Sequence, residues 1–295
     1  MTTECFNLTC LGGHHKKENI PCQDYSLSML DGKLSLAVVC DGHGAPMYFR
    51  SDTGARFAAE AVKECVCRYV NDQFMAALKG KPFKAYGPMR GKDVSNITDE
   101  AYLILCTLIL KILEYWDEKV KQHAENHPMT EQEAAATPEP LVKAFRSGKN
   151  VNFAYGTTLL AHVQMDGCWF AFQIGDGKMI YIDDDTAFFP IVDDEQCHDN
   201  ITTSVCDNDA MDDVRVSYEG DGHVPESLFL CTDGLEKVFV SEEKLAEHCS
   251  AVQNVLKLGS KKILVDNLSK VYPKLSTVTS GDDISLAGIY HKDIK

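Results

Sequence analysis

The chain has 295 residues, 44% of them hydrophobic, and a formal net charge of -15. That is enough apolar material for a sizeable core, and the acidity argues against a general binder of nucleic acid or anionic membrane, which would carry an excess of Lys and Arg. Met1 to Thr9 lacks the basic start and apolar stretch of a signal peptide, and the most apolar segment, Ala101 to Leu113, is broken by Thr107 and Lys111, so a soluble, cytoplasmic protein without a membrane span is expected. The twelve cysteines are scattered, with no paired Cys-x-x-Cys set of the zinc kind, and read as reduced core thiols. No Gly/Ser/Pro-rich linker divides the sequence, so residues 1–295 are expected to form a single domain.

Cys5 to Cys10, Tyr25 to Leu30 and Leu34 to Val39 read as strands, the last two joined by a tight turn at Asp31-Gly32, which makes the opening antiparallel. The apolar run Leu34 to Val39 ends in Cys40-Asp41-Gly42-His43-Gly44-Ala45. That break sets a carboxylate and an imidazole at the mouth of a buried strand, between glycines that let backbone and ligand approach closely. Ser51-Asp52 is expected to cap a helix with Ala58, Ala61, Val62, Cys65 and Tyr69 on one face, and a second helix runs through Tyr102, Leu105, Ile109, Ile112, Trp116 and Val120. Between them Lys79 to Lys92 carries bases and no acid, and reads as a solvated loop.

Residues 123–150, polar and interrupted by Pro128, Pro138 and Pro140, read as a long connection. The strand signal returns in Thr157 to Val163, Cys168 to Ile174 and Lys178 to Ile182, a meander through Asp166-Gly167 and Asp176-Gly177. Residues 183–221 hold thirteen acids against the single base Arg215 and read as exposed and mobile. Ser227 to Cys231 is a further strand ending in Thr232-Asp233-Gly234, Ser241 to Leu256 and Lys261 to Val271 look helical, and Gly281-Asp282-Asp283 leads into the strand Ile284 to Tyr290.

Some machinery is excluded. No Gly-Lys pair is followed by Ser or Thr, so there is no P-loop, and no cysteine has Arg six positions later, as a thiol-based phosphatase loop would require. What remains is a set of carboxylates at strand ends: Asp24, Asp41, Asp176, Asp233 and Asp282. Each of the five could merely make a turn, and three of them sit in Asp-Gly pairs, a strong hairpin dipeptide of which this chain has six: at Asp31, Asp41, Asp166, Asp176, Asp221 and Asp233. Brought together they would repel and lose hydration unless something cationic compensates. Hard divalent ions do so with oxygen ligands, and two of them about 3.5–4 Å apart can hold a hydroxide for in-line attack on phosphorus.

Gln23-Asp24, Val39-Cys40-Asp41-Gly42-His43-Gly44, Gly156-Thr157-Thr158, Ile174-Gly175-Asp176-Gly177, Cys231-Thr232-Asp233-Gly234 and Asp282-Asp283-Ile284-Ser285 resemble, in order, the motifs of the metal-dependent protein phosphatase 2C family, from about Gly12 to Tyr290. The resemblance implies an α+β fold, a four-layer α-β-β-α sandwich of two antiparallel sheets flanked by helices. It implies two Mn2+ or Mg2+ ions at one end, with a third weakly bound. Asp41 is implied to bridge both ions, the Gly42 carbonyl to ligate one, Asp233 and Asp282 to hold the other, Asp24 to hold ion-bound water, and Asp176 with Asp233 to hold the third. His43 is implied to be the general acid for the leaving alkoxide. Residues 183–221 resemble in position the family's variable flap.

The implied activity is that of a protein serine/threonine phosphatase, a phosphoric monoester hydrolase that acts on phosphoserine and phosphothreonine proteins through a metal-bridging hydroxide, with no nucleic-acid or membrane partner. Two departures favour a rival, a pseudophosphatase that binds phosphoproteins without turnover. Gln23 stands where the family often has Glu, and the arginine expected upstream is missing, the first being Arg50. Lys16 and Lys17 are the candidates to bind phosphate in its place, as point charges without the bidentate fork of Arg.

Overall fold

The structure, a computed structural model, describes residues 2–93, 95–184, 186–198 and 201–292. One sheet has the order β1 (Thr2–Cys10), β11 (Ile284–Lys292), β10 (Ser227–Cys231), β7 (Lys178–Asp183), β8 (Thr186–Phe188). The other runs β2 (Tyr25–Asp31), β3 (Leu34–Cys40), β5 (Leu159–Met165), β6 (Cys168–Ile174), β9 (Arg215–Glu219), β4 (Lys84–Tyr86). All neighbours in both sheets pair antiparallel. The helices are α1 (Gly13–Glu18), α2 (Ser51–Tyr69), α3 (Asp72–Ala76), α4 (Glu100–Asn126), α5 (Glu131–Ala136), α6 (Glu139–Arg146), α7 (Asp233–Glu236), α8 (Glu242–Leu258) and α9 (Lys261–Val278).

The apolar run of β3 is continuous because both of its faces are covered. Leu36, Val38 and Cys40 pack with α2 and α4 residues such as Ala58, Val62, Ile109 and Trp116, while Ala37 and Val39 turn inward to meet Met179, Leu228, Leu230 and Ile289 of the other sheet. That alternation is the period-two geometry of a strand. On the far side Phe229, Cys231, Leu286 and Tyr290 pack with Leu245, Cys249, Leu268 and Tyr272 of α8 and α9. The result is the expected four layers, helices outside and two sheets within.

Four local readings are corrected. Helix α2 has Arg50, not Ser51, at its N-cap and no side-chain cap bond; the Ser51 hydroxyl accepts instead from the Gln23 amide at 2.7 Å. Residues 123–150 are not a bare connection: α4 continues to Asn126, Thr130 and Glu133 form a capping box that starts α5, and α6 follows. The acidic stretch 183–221, of which 185, 199 and 200 lie outside the described residues, contains β9, buried from Arg215 to Tyr218 and paired on both sides. Its anchor is the basic stretch read as solvated loop. Arg90 donates two bonds to the buried Asp194 carboxylate, at 2.8 and 2.7 Å, and a third to Asp213. Opposite charges far apart in sequence thus hold each other in place, a pairing no local window displays.

His162 of β5 is fully buried between the sheets, with Nδ1 2.6 Å from the Tyr181 hydroxyl and no partner at Nε2. Burial pushes its pKa down to about 3. The unfolded chain takes up a proton near pH 6.5 that the folded chain refuses, so this contribution to stability is complete above that value and drains away as pH falls toward 3. Between pH 7 and pH 4.5 the loss is on the order of 2–3 kcal/mol. In urea melts with excess chelator, His162→Gln should therefore lose less stability than the wild type over that interval; equal losses would contradict the assignment.

Candidate metal centre

Strand register gathers the expected residues at one rim of the sandwich. Tyr25 pairs with Cys40, Leu159 with Ile174, and Cys231 with both Lys178 and Leu286. Just beyond those pairs the chain presents Asp24, Asp41, Thr158, Asp176, Asp233 and Asp282. Asp41, His43, Thr158, Asp176, Asp233 and Asp282 line one cleft of about 380 Å3, and Asp24 is buried beside it, its charge acting on Asp41. Of the six Asp-Gly pairs, those at Asp31 and Asp166 are hairpin turns between paired strands and that at Asp221 lies between β9 and β10. The other three deliver carboxylates to the cleft.

Two of those glycines are required by close backbone approach. A Cβ on Gly42 would meet the Gln23 and Ser51 carbonyl oxygens at 2.6 and 2.7 Å, and one on Gly234 would meet the Asp283 oxygen at 1.8 Å, distances no side chain tolerates. The threonines of the matched motifs act as clamps. Thr158 Oγ1 accepts from the Asp41 N–H (3.0 Å), the Thr158 N–H and the Thr157 hydroxyl donate to the Asp41 carbonyl (2.8 and 3.0 Å), and the Thr232 hydroxyl donates to Asp24 at 2.8 Å. Asp283 accepts from the Gly12 and Gln23 N–H groups (2.6 and 2.7 Å) and meets His15 at 2.9 Å. Burial alone would raise its pKa, yet these contacts hold it below the usual carboxylate range.

Four other rim acids are pushed the other way. Burial first, then the charge of Asp283, raises Asp24 well above its ordinary value; burial, then Asp24 and Asp233, does the same for Asp41; Asp282 and Asp176 are raised by burial and by Asp233. Among the described residues no three His, Cys, Asp or Glu side chains are grouped tightly enough to ligate one ion as they stand, and the Asp233 carboxylate is taken up by the Lys237 ammonium. The donor set nonetheless fits hard divalent cations. It consists of carboxylate and carbonyl oxygens, Asp233 Oδ1 is buried without any partner, and the burial and mutual repulsion that disfavour the charged forms of Asp24 and Asp41 are what a neighbouring cation relieves.

His43 projects into the same cleft, with Nε2 2.7 Å from the Ser204 hydroxyl and the ring edge-on to Tyr48 at 4.7 Å. Burial pushes its pKa down to about 4, with the Asp233 charge pulling the other way. Lys16 and Lys17 are not brought to the site: both are exposed on α1, whose inward residue is His15, and neither lines the cleft. The lysine that does line it, Lys237, was missed. Its signal was the spacing Asp233 to Lys237, four residues apart on one turn of helix. Ser204 sits inside the acidic stretch and carried no local signal.

Among the described residues no helix is long and apolar enough to cross a membrane. A family model described as protein phosphatase 2C matches residues 11–271, whereas no curated protein matches the sequence. Among solved structures, the chain resembles the serine/threonine phosphatase Stp1 from Staphylococcus aureus (14% identity, 99% of this chain and 96% of that one, TM-score 0.56). It also resembles the catalytic domain of the phosphatase PstP solved with two manganese ions (14%, 99% of each chain, TM-score 0.55) and PppA of Pseudomonas aeruginosa (14%, 98% of each, TM-score 0.54). At such identities the likeness is one of fold. The match over residues 11–271, the two antiparallel sheets between helices and the six motifs meeting at one rim together place this chain in the protein phosphatase 2C family.

Proposed function

We propose that residues 1–295 form one catalytic unit, a metal-dependent phosphatase that removes phosphate from phosphoserine and phosphothreonine side chains of proteins. The reading rests on the convergence of Asp41, Asp176, Asp233, Asp282 and His43 on one cleft with Asp24 beside it. Asp41 and the Gly42 carbonyl, with Asp233 and Asp282, would hold two Mn2+ or Mg2+ ions, Asp24 would hold water beside them, and Asp176 with Asp233 would hold a third, looser ion. When bound, such ions supply Lewis-acid charge on the phosphoryl oxygens and an activated water as nucleophile.

The chain's own part is positioning and proton supply. The threonine clamps fix the Asp41 backbone, and Thr232 fixes the Asp24 carboxylate, so neither needs to reorganise during reaction. His43, oriented by Ser204, would deliver a proton from Nε2 to the departing serine or threonine oxygen. Burial holds its imidazole neutral at pH 7, with a pKa of about 4; a phosphate dianion beside it favours the protonated form, so substrate itself arms the acid. All twelve cysteines are free, which supports a reducing, cytoplasmic setting.

Two observations favour the pseudophosphatase rival: Lys237 occupies Asp233, and Gln23 supplies an amide, bonded to Ser51 and to the His43 carbonyl, in place of a further acid. Phosphate release from phosphoserine and phosphothreonine peptides in Mn2+ separates the two. Release is expected; a folded protein that binds both peptides and releases nothing is the rival.

A further inference from the structure

Among the described residues lining the catalytic cleft, Lys237 is the one Lys or Arg; the lining otherwise carries the carboxylates Asp41, Asp176, Asp233 and Asp282. The other cations of the neighbourhood are committed elsewhere. Arg50 is held by Glu133 and Tyr155, Lys178 by Glu242 at 2.6 Å, and Arg215 donates to the Val192 and Gly175 carbonyls. Lys237 differs in being partly free. It ends α7, its side chain is 40% exposed, and its ammonium rests on Asp233 alone. It also lines the adjoining cavity of about 420 Å3, so its flexible four-carbon stem borders two open spaces.

A phosphomonoester dianion entering a cleft walled by four carboxylates is repelled unless a cation faces it. Asp233 is also a carboxylate that the proposed function assigns to a divalent ion. Lys237 and that ion therefore contend for one carboxylate, and with the lining carboxylates assigned to ions an ammonium that yields its place is free to turn toward an incoming phosphate. We propose that Lys237 is the phosphate anchor of this active site, swinging from Asp233 to the phosphoryl oxygens when substrate enters. The proposal rests on the phosphatase reading above and deepens it by naming the side chain that recognises the substrate's phosphate. A rotatable ammonium with three donors suits that movement.

The test is calorimetric titration of inorganic phosphate into Mg2+-loaded wild type, Lys237→Met and Lys237→Arg, with Mg2+ affinity and circular dichroism recorded for each. Charge-assisted hydrogen bonds of this kind predict that Lys237→Met weakens phosphate binding about ten-fold or more, that Lys237→Arg stays within about three-fold of wild type, and that KM for p-nitrophenyl phosphate rises in parallel with the loss of phosphate affinity. Phosphate affinity unchanged in Lys237→Met, with the fold retained, overturns the proposal; if Mg2+ then binds more tightly, the lysine serves Asp233 only. Should the methionine variant misfold, Lys237→Gln is read in its place by the same criteria. A wild type that binds phosphate through Lys237 yet releases none from phosphopeptides keeps this inference and rejects the phosphatase reading.

Discussion

Asp41→Asn and Asp233→Asn are each expected to reduce turnover of p-nitrophenyl phosphate by about three or more orders of magnitude, because under the proposed function activation of the attacking water would depend on both cations. Asparagine keeps the shape and much of the bonding of the side chain, and the Asp41 backbone stays clamped by Thr157 and Thr158. For Asp41 the same change has the opposite effect on stability in chelator. Its folded pKa is raised above the ordinary 3.8 by burial and by Asp24 and Asp233, so the stability it contributes is present at low pH and lost as pH rises through the folded value. Keeping Asp41 buried among other acids therefore costs the chelated wild type stability at neutral pH, whether as a buried charge or as a proton taken up; Asp41→Asn removes that cost, and the variant should melt higher than wild type in chelator while being nearly inactive in Mn2+. Activity retained, or a lower melting temperature in chelator, would count against the assignment of Asp41 as an ion ligand.

The second large effect concerns His43. A general acid matters most for a poor leaving group, so His43→Ala should slow phosphoserine-peptide hydrolysis by about two to three orders of magnitude and p-nitrophenyl phosphate hydrolysis by about ten-fold or less. The phenolate leaves without help; the serine alkoxide does not. Equal losses on both substrates would make His43 a structural residue, consistent with its packing on Tyr48 but not with proton delivery. Ser204→Ala, which frees the imidazole without removing it, should fall between the two on the peptide.

What the sequence made legible was the part encoded locally. The doubly covered strand β3 announced itself as an unbroken apolar run, the hairpins at Asp31 and Asp166 as turn dipeptides between strands, and the rim residues as carboxylates following strands. Register did the rest, since antiparallel pairing brings strand ends together wherever they lie along the chain. Illegible were the features that depend on distant partners. Arg90 reads as one more base in a basic loop until Asp194 and Asp213 arrive from over a hundred residues away. Strand β9 hides within an acidic stretch because its neighbours β6 and β4, not its flanks, make it a strand. Lys16 and Lys17 looked eligible by position alone, but α1 turns His15 inward and leaves both lysines in solvent.

The central claim, that this rim is a working divalent-metal centre, is tested most directly by titrating Mn2+ into chelator-treated protein while counting bound ions and measuring p-nitrophenyl phosphate hydrolysis in the same samples. The expected result is negligible activity without Mn2+, two tightly bound ions per chain, and turnover that rises as they bind. Full activity in excess chelator would contradict the metal-dependent mechanism outright, and a folded protein that binds two ions yet remains inactive would contradict the claim that the centre turns over.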